Sequence, residues 1–197
     1  MGAMHKDKSG YFRVLAADDE EIILNVYRDI LLQKTDDEGS LSEISDLEAQ
    51  LFGKKKPEPA PGYSFDLVTC RQGDEAIAAV RKAVEEDNPF SLALLDIRMP
   101  PGPDGVKTAE AIRALDPLIE ILMVTGYSDI DPREIAQRVY PPHKLLYIQK
   151  PFHPQEIYQF VCTLCAKWKN EAFIRDYNER LLSHIEEQTA ELKKTNQ

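Results

Sequence analysis

Short apolar runs alternate along this chain with longer stretches in which apolar residues recur every three or four positions. This alternation predicts strands separated by amphipathic helices, the pattern of a parallel sheet with crossover helices. The predicted strands lie near residues 13–17, 65–70, 92–96, 119–124 and 144–149. The predicted helices lie near 20–33, 74–86, 105–115 and 132–139, and from 154 onward. Together these elements predict an α/β fold with an open, doubly wound sheet.

Residues 34–63 interrupt the alternation between the first helix and the second strand. Within them, Ser40–Glu43 is a capping box that begins a short amphipathic pattern ending near Leu51. The lysine- and proline-rich stretch 54–62 then predicts an extended linker. Two interpretations of this insert stay open, a decorated surface loop and a docking element for a partner or a neighbouring domain.

The C-terminal segment carries two apolar patterns in succession. The first begins after Pro154 and predicts helix packing on the sheet through Ile157, Val161, Leu164 and Trp168. The second follows a phase shift and has spacings of four and three, at Ile174, Asn178, Leu181, Ile185, Gln188, Leu192 and Thr195. This heptad seam predicts that residues 169–197 form a parallel dimeric coiled coil and make the chain a homodimer. The alternative is a solvated tail that frays.

Polar side chains stand at the C-terminal ends of four predicted strands. Asp18 and Asp19 follow the first strand, Asp96 ends the third, and Thr125 and Lys150 end the fourth and fifth. Open α/β sheets place their sites at this edge. Three carboxylates brought together repel one another, and a hard divalent cation such as Mg²⁺ relieves that repulsion. A carboxylate is also a nucleophile toward phosphorus, and phosphoryl transfer needs mainly positioning and charge neutralisation.

Composition removes several other functions. The chain has 197 residues and a formal net charge of −10, which argues against binding to nucleic acid or to an anionic membrane surface. No apolar run approaches the roughly 20 residues of a membrane span, and no secretory leader is visible. Cys70, Cys162 and Cys165 are interpreted as core residues rather than a metal or redox site. We therefore expect a cytoplasmic protein, with residues 1–10 a disordered tag remnant.

Four motifs, in this order, resemble those of the receiver domain of a two-component response regulator, the CheY-like family. They are Ala17–Glu20, Leu95–Pro100, Val124–Gly126 and Gln149–Phe152. The resemblance covers about residues 11–168. It implies a flavodoxin-like fold with a five-stranded parallel sheet in the order 2-1-3-4-5.

The resemblance also implies the phosphoacceptor and the metal ligands. Asp96 would accept a phosphoryl group from a histidine kinase or a phosphotransfer protein. Mg²⁺ would be bound by Asp18, Asp19 and Asp96, together with the backbone carbonyl of Arg98. The chain would then be no enzyme toward outside substrates, since it would catalyse only its own phosphorylation and dephosphorylation.

Three further residues match the positions that respond to the phosphoryl group. Lys150 would pair with the phosphate, and the hydroxyl of Thr125 would donate a hydrogen bond to it. Tyr147 occupies the position of the switch aromatic, which turns inward when Thr125 moves. The resemblance further implies a cis peptide bond between Lys150 and Pro151.

One departure from the usual pattern points to a subfamily. The loop Met99–Gly105 is one residue longer than usual, and it occurs together with the insert and the long C-terminal helix. These features resemble receivers whose helix leads to an output module, so we expect a downstream effector domain that is absent from this chain. The expected organisation is a tag remnant over 1–10, a receiver domain over 11–168 with its insert at 34–63, and a coiled-coil signalling helix over 169–197.

The sequence thus predicts a phosphorylation-switched receiver that relays its state through a dimeric helix. One alternative is a dimerisation scaffold with a receiver fold and no phosphorylation. Another is a Mg²⁺-dependent phosphohydrolase, but Arg98 stands two residues after Asp96, where a second aspartate would serve as general acid.

Overall fold

The structure, a computed structural model, describes residues 10–32, 63–126 and 132–195. The predicted helix and linker of the insert, and the first nine residues, lie outside the described residues. The strands are β1 Tyr11–Ala17, β2 Ser64–Cys70, β3 Leu92–Asp96, β4 Glu120–Thr125 and β5 Leu145–Gln149. The α-helices are α1 Glu21–Leu32, α2 Gly73–Glu85, α3 Gly105–Leu115, α4 Pro132–Arg138 and α5 Pro154–Thr195, with a 3-10 turn at Pro142–Lys144.

The strands form one parallel sheet in the order β2-β1-β3-β4-β5, which confirms the predicted fold. The register pairs Ala17 with Leu95, Asp96 with Val124, and Thr125 with Gln149. Since all strands run the same way, the polar residues at their C-terminal ends meet at one edge of the sheet. The central strands β3 and β4 are covered on both faces, which is why they read as continuous apolar runs.

Helices cover the two faces of the sheet and divide the core in two. On one face, side chains of α2, α3 and α4 pack against residues such as Leu15, Leu95 and Met123. On the other face, α1 and α5 pack against residues such as Val14 and Leu94. Both faces of the central strands are thus covered by helices.

Helix α5 changes character along its length, as the two apolar patterns predict. Ile157, Val161 and Leu164 are buried against the sheet, and Trp168 is partly buried. Beyond them the helix exposes large apolar side chains at Phe173, Ile174, Tyr177, Leu181, Leu182 and Ile185. No helix in the described part of the chain is long and apolar enough to cross a membrane.

The cysteines are packing residues, as expected. Cys70 and Cys165 are buried and Cys162 is partly buried, and all three are free thiols. Burial raises the pKa of the Cys70 thiol to about 11, helped by the charge of Glu75. The thiols are therefore protonated at neutral pH, the form that behaves as a small apolar side chain.

The start of α3 approaches the backbone of β3 so closely that only glycine fits. The Gly105 amide donates to the Ile97 carbonyl at 2.9 Å, and a Cβ on Gly105 would lie 2.0 Å from the Asp96 carbonyl oxygen. We expect Gly105→Ala to lower the free energy of unfolding by about 1–3 kcal/mol, the usual cost of overpacking. Urea unfolding measures this loss.

Gly126 supplies the matched control for this substitution. A Cβ on Gly126 would meet no atom within 4 Å. Gly126→Ala should therefore change the free energy of unfolding by no more than about 0.5 kcal/mol. Equal effects of the two substitutions would contradict the close approach at Gly105.

Candidate functional site

A buried lysine lies between two buried aspartates at the C-terminal edge of the sheet. Asp18 follows β1 and is fully buried, and Asp96 ends β3 and is 5% exposed. The Lys150 Nζ atom lies 2.8 Å from Asp18 Oδ2 and 2.7 Å from Asp96 Oδ1. One ammonium group thus bridges carboxylates from the neighbouring strands β1 and β3, and the lysine itself follows β5.

The second oxygen of each carboxylate binds a backbone amide. The Glu20 amide donates to Asp18 Oδ1 at 3.0 Å, and the Arg98 amide donates to Asp96 Oδ2 at 2.7 Å. Each of these bonds spans two residues, so the chain turns sharply after β1 and after β3. Each carboxylate is held by one backbone hydrogen bond and one ion pair, which together fix its orientation.

The charges at this edge perturb one another. Burial raises the pKa of Asp18, against the opposing effects of the Lys150 ammonium and the Glu20 amide, and the nearby charge of Asp96 raises it further. Burial alone would lower the pKa of Lys150, but the hydrogen bonds and charges of Asp18 and Asp96 raise it overall. Lys150 is therefore a cation at neutral pH.

Asp19 lies next to the contacts that join Lys150, Asp18 and Asp96 and is not part of them. It directly follows Asp18 and is partly buried. Within the described ranges, no group of three or more histidine, cysteine, aspartate or glutamate side chains is arranged to hold a metal ion. The structure thus brings Asp18, Asp96 and Lys150 together, with the predicted third carboxylate one residue away along the chain.

Thr125 and Tyr147 occupy the neighbouring strands β4 and β5. Thr125 is the partly buried last residue of β4, and its carbonyl accepts a hydrogen bond from the Lys150 amide at 2.6 Å. Tyr147 is partly buried against the core on the α2–α4 face, and burial raises the pKa of its hydroxyl. Next to Thr125, the surroundings of Gly126 leave open space. The threonine therefore borders an accessible part of the edge.

The loop after Asp96 is held by a residue that the sequence did not single out. The Gln72 side chain donates from Nε2 to the Pro100 carbonyl at 2.9 Å and accepts from the Gly102 amide at 3.0 Å. It therefore holds the longer loop through one donated and one accepted hydrogen bond to the loop backbone. Nothing in the pattern around Gln72 signals this role, because the partners are distant in sequence.

The Lys150–Pro151 peptide bond is cis, which confirms the expectation drawn from the family resemblance.

The chain matches the family model described as "Response regulator receiver domain" over residues 60–161, just over half of its length. Among curated proteins it is 34% identical to the transcriptional regulatory protein ZraR of Salmonella typhimurium over 90 residues, which are 46% of this chain and 18% of that protein. It is 28% identical to the DNA-binding transcriptional regulator NtrC of the same organism over 127 residues, 64% of this chain and 22% of that protein. The chain thus matches about a fifth of the length of these relatives.

A solved structure shares the fold. The CheY-like response regulator receiver domain protein of Methanospirillum hungatei superposes with a TM-score of 0.52 at 22% identity. The match covers 82% of this chain and 98% of that one.

Removing the Lys150 ammonium should destabilise the fold, because two buried carboxylates would lose their shared partner. We expect Lys150→Met to lower the free energy of unfolding by about 1.5–3 kcal/mol, the usual contribution of hydrogen bonds to charged groups. Urea unfolding at neutral pH without divalent cations measures it. Lys107→Met is the control, since the Lys107 side chain is exposed and its Nζ atom lies 3.5 Å from Oδ2 of the exposed Asp104. A loss for Lys107→Met as large as that for Lys150→Met would contradict the role of Lys150.

Proposed function

The chain belongs to the response regulator receiver domain family, and from that premise we propose that Asp96 accepts a phosphoryl group from a histidine kinase or a phosphotransfer protein. The main support is the position of the Asp96 carboxylate at the end of β3, with the Lys150 Nζ atom at 2.7 Å. An Asp96 oxygen attacks phosphorus, the bond from phosphorus to the donor nitrogen breaks, and that nitrogen keeps the electron pair. Lys150 then neutralises one charge of the aspartyl-phosphate.

Mg²⁺ fits the oxygen donors at this edge. Asp18, Asp19 and Asp96 carry three carboxylates against the one ammonium of Lys150, so the edge carries excess negative charge. Hard oxygen ligands of this kind suit Mg²⁺. We assign Asp18, Asp19, Asp96 and the backbone carbonyl of Arg98 as its ligands. When bound, the ion supplies the charge neutralisation that a phosphoryl group next to three carboxylates requires.

Thr125 and Tyr147 are assigned as the switch. Thr125 borders the edge where the phosphoryl group would lie, so its hydroxyl can donate a hydrogen bond to a phosphoryl oxygen. Tyr147 lies in the neighbouring strand, two residues from Gln149, the pairing partner of Thr125. A shift of Thr125 toward the phosphate makes room for the Tyr147 ring, and the two arrangements constitute the two states of the receiver.

The C-terminal half of α5 is assigned as the output. It exposes Ile174, Leu181 and Ile185 on one side of the helix. In the heptad frame Ile185 is an a position, Leu181 a d position and Asn178 an a position, a combination that favours a parallel dimer. We therefore propose a receiver domain over residues 11–168 and a dimeric coiled coil over 169–197, which relays the phosphorylation state to an effector domain.

Intact-mass spectrometry after incubation with a small phosphodonor tests the phosphoacceptor. The wild-type chain should gain the mass of one phosphoryl group in the presence of Mg²⁺ and none in its absence. Asp96→Asn should gain none, because the nucleophilic carboxylate is gone. Asp104→Asn is the control, since Asp104 caps α3 by accepting from the Lys107 amide and asparagine caps equally well. Labelling of Asp96→Asn at the wild-type level would refute the assignment, and no labelling of any form would favour the scaffold alternative.

Sedimentation equilibrium tests the dimer. Leu181→Glu should raise the dissociation constant of the dimer at least about tenfold, because each buried leucine contributes about 1.5–3 kcal/mol. Ser183→Glu adds the same charge at an exposed position on the opposite side of the helix and should leave dimerisation unchanged. A monomeric wild-type chain, or equal effects of the two substitutions, would exclude the seam.

A further inference from the structure

A buried ion cluster lies at the opposite edge of the sheet from Asp96. Glu120, the first residue of β4, is fully buried, and Lys144, directly before β5, is 6% exposed. The Lys144 Nζ atom lies 2.8 Å from Glu120 Oε1, and the Lys167 Nζ atom of α5 lies 3.0 and 2.9 Å from the two Glu120 oxygens. Glu171, one turn further along α5, pairs with both lysines. We call these four residues the ion cluster.

The cluster also binds the backbone around it. The Lys167 Nζ atom donates to the His143 carbonyl at 2.6 Å, and the Lys144 Nζ atom donates to the Leu118 carbonyl at 3.2 Å. The guanidinium of Arg113, at the end of α3, donates to the Lys144 carbonyl at 3.0 Å. The cluster therefore joins β4, the start of β5 and α5 at a single place.

The burial of Glu120 favours the state in which its ion pairs with Lys144 and Lys167 are intact. A buried carboxylate is costly unless it is paired, so Glu120 holds the cations that neutralise it. Lys144 ends the 3-10 turn that precedes β5, whereas Lys167 lies in α5. Any rotation of α5 that withdraws Lys167 leaves Glu120 with Lys144 as its remaining cluster partner. The helix is thereby held at one orientation relative to β4.

The strands that reach the ion cluster are the strands that carry the proposed switch. β4 begins at Glu120 and ends at Thr125, and Lys144 directly precedes β5, which contains Tyr147. At about 3.3 Å per residue the two ends of β4 lie some 17 Å apart. Thr125 and Glu120, the residue that pairs with Lys167 of α5, are thus the two ends of one strand.

Lys167 and Glu171 occupy a distinct strip of α5. At about 100° per residue, they lie between the side that packs on the sheet, at Ile157 and Val161, and the side that exposes Ile174 and Leu181. The heptad spacing carried back from Ile174 by three and then four residues also reaches Glu171 and Lys167. The cluster therefore binds the helix where one apolar pattern gives way to the other.

We propose that the ion cluster couples the switch at Thr125 and Tyr147 to the rotation of α5, and so determines how the two copies of the coiled-coil seam meet. This inference rests on the proposed phosphorylation of Asp96. Phosphorylation moves the β4–β5 pair, Glu120 and Lys144 move with it, and Lys167 and Glu171 transfer that movement to the helix. The cluster acts on the output through the helix and leaves the chemistry at Asp96 unchanged.

Lys167→Met is the variant that tests the coupling. It removes the helix cation that pairs with Glu120, whereas the pairs of Lys144 with Glu120 and with Glu171 remain, so the fold is retained. Lys169→Met is the control, because it removes the same charge from an exposed position two residues further along the helix. Hydrogen–deuterium exchange of the full chain, followed by mass spectrometry, measures the exchange rates of the backbone amides of residues 163–185.

The first measurement uses the unphosphorylated chain. In Lys167→Met the amides around residue 167 should exchange about tenfold faster than in Lys169→Met, as expected when local opening becomes easier by ~1.4 kcal/mol. Equal exchange in the two variants would overturn the proposal, because Lys167 would then not hold the helix.

The second measurement adds a small phosphodonor and Mg²⁺, with phosphoryl uptake read from intact mass. All three forms should take up one phosphoryl group, and wild type and Lys169→Met should show the same change in exchange over residues 163–185. Lys167→Met should show less than about half of that change. Normal uptake with an undiminished response in Lys167→Met would overturn the coupling alone. No uptake by the wild-type chain would overturn the proposed function, and the coupling proposal would fall with it.

Discussion

The pairing of Lys150 with Asp18 and Asp96 allows two carboxylates to be buried at the C-terminal edge of the sheet. Two carboxylates are buried at the ends of adjacent strands, where their mutual repulsion would oppose folding. One ammonium group from a third strand end, with one backbone amide for each carboxylate, makes that burial tolerable. The parallel sheet supplies this arrangement, because only parallel strands deliver all these residues to the same edge.

Much of this edge could be predicted because the signals are local. A polar residue directly after a buried apolar run identifies a strand end, and this applies to Asp18, Asp96, Thr125 and Lys150 alike. The strand bounds differ from the prediction by at most two residues, and the sheet order is the one that the family resemblance implies. The apolar spacing of α5 likewise indicated which of its sides packs on the sheet.

What could not be predicted involves partners that are distant in sequence. Gln72 binds the loop at Pro100, 28 residues away, and Lys167 binds Glu120, 47 residues away. Side-chain pairing across such separations leaves no periodic pattern. A carboxylate between Ile119 and Ile121 in a buried strand requires a partner, but nothing in the sequence around Glu120 identifies which lysine provides it.

The position of Lys167 and Glu171 has a consequence for joining this receiver to other proteins. Because the ion cluster holds α5 at one orientation, the direction in which any fused module faces is set by the number of residues that follow Glu171. Adding seven residues turns the attachment point by only about 20°, whereas adding one turns it by about 100°. A chimera in which the helix is lengthened by a whole heptad therefore nearly keeps the orientation of its fused module. A chimera lengthened by a single residue turns the module about the helix axis.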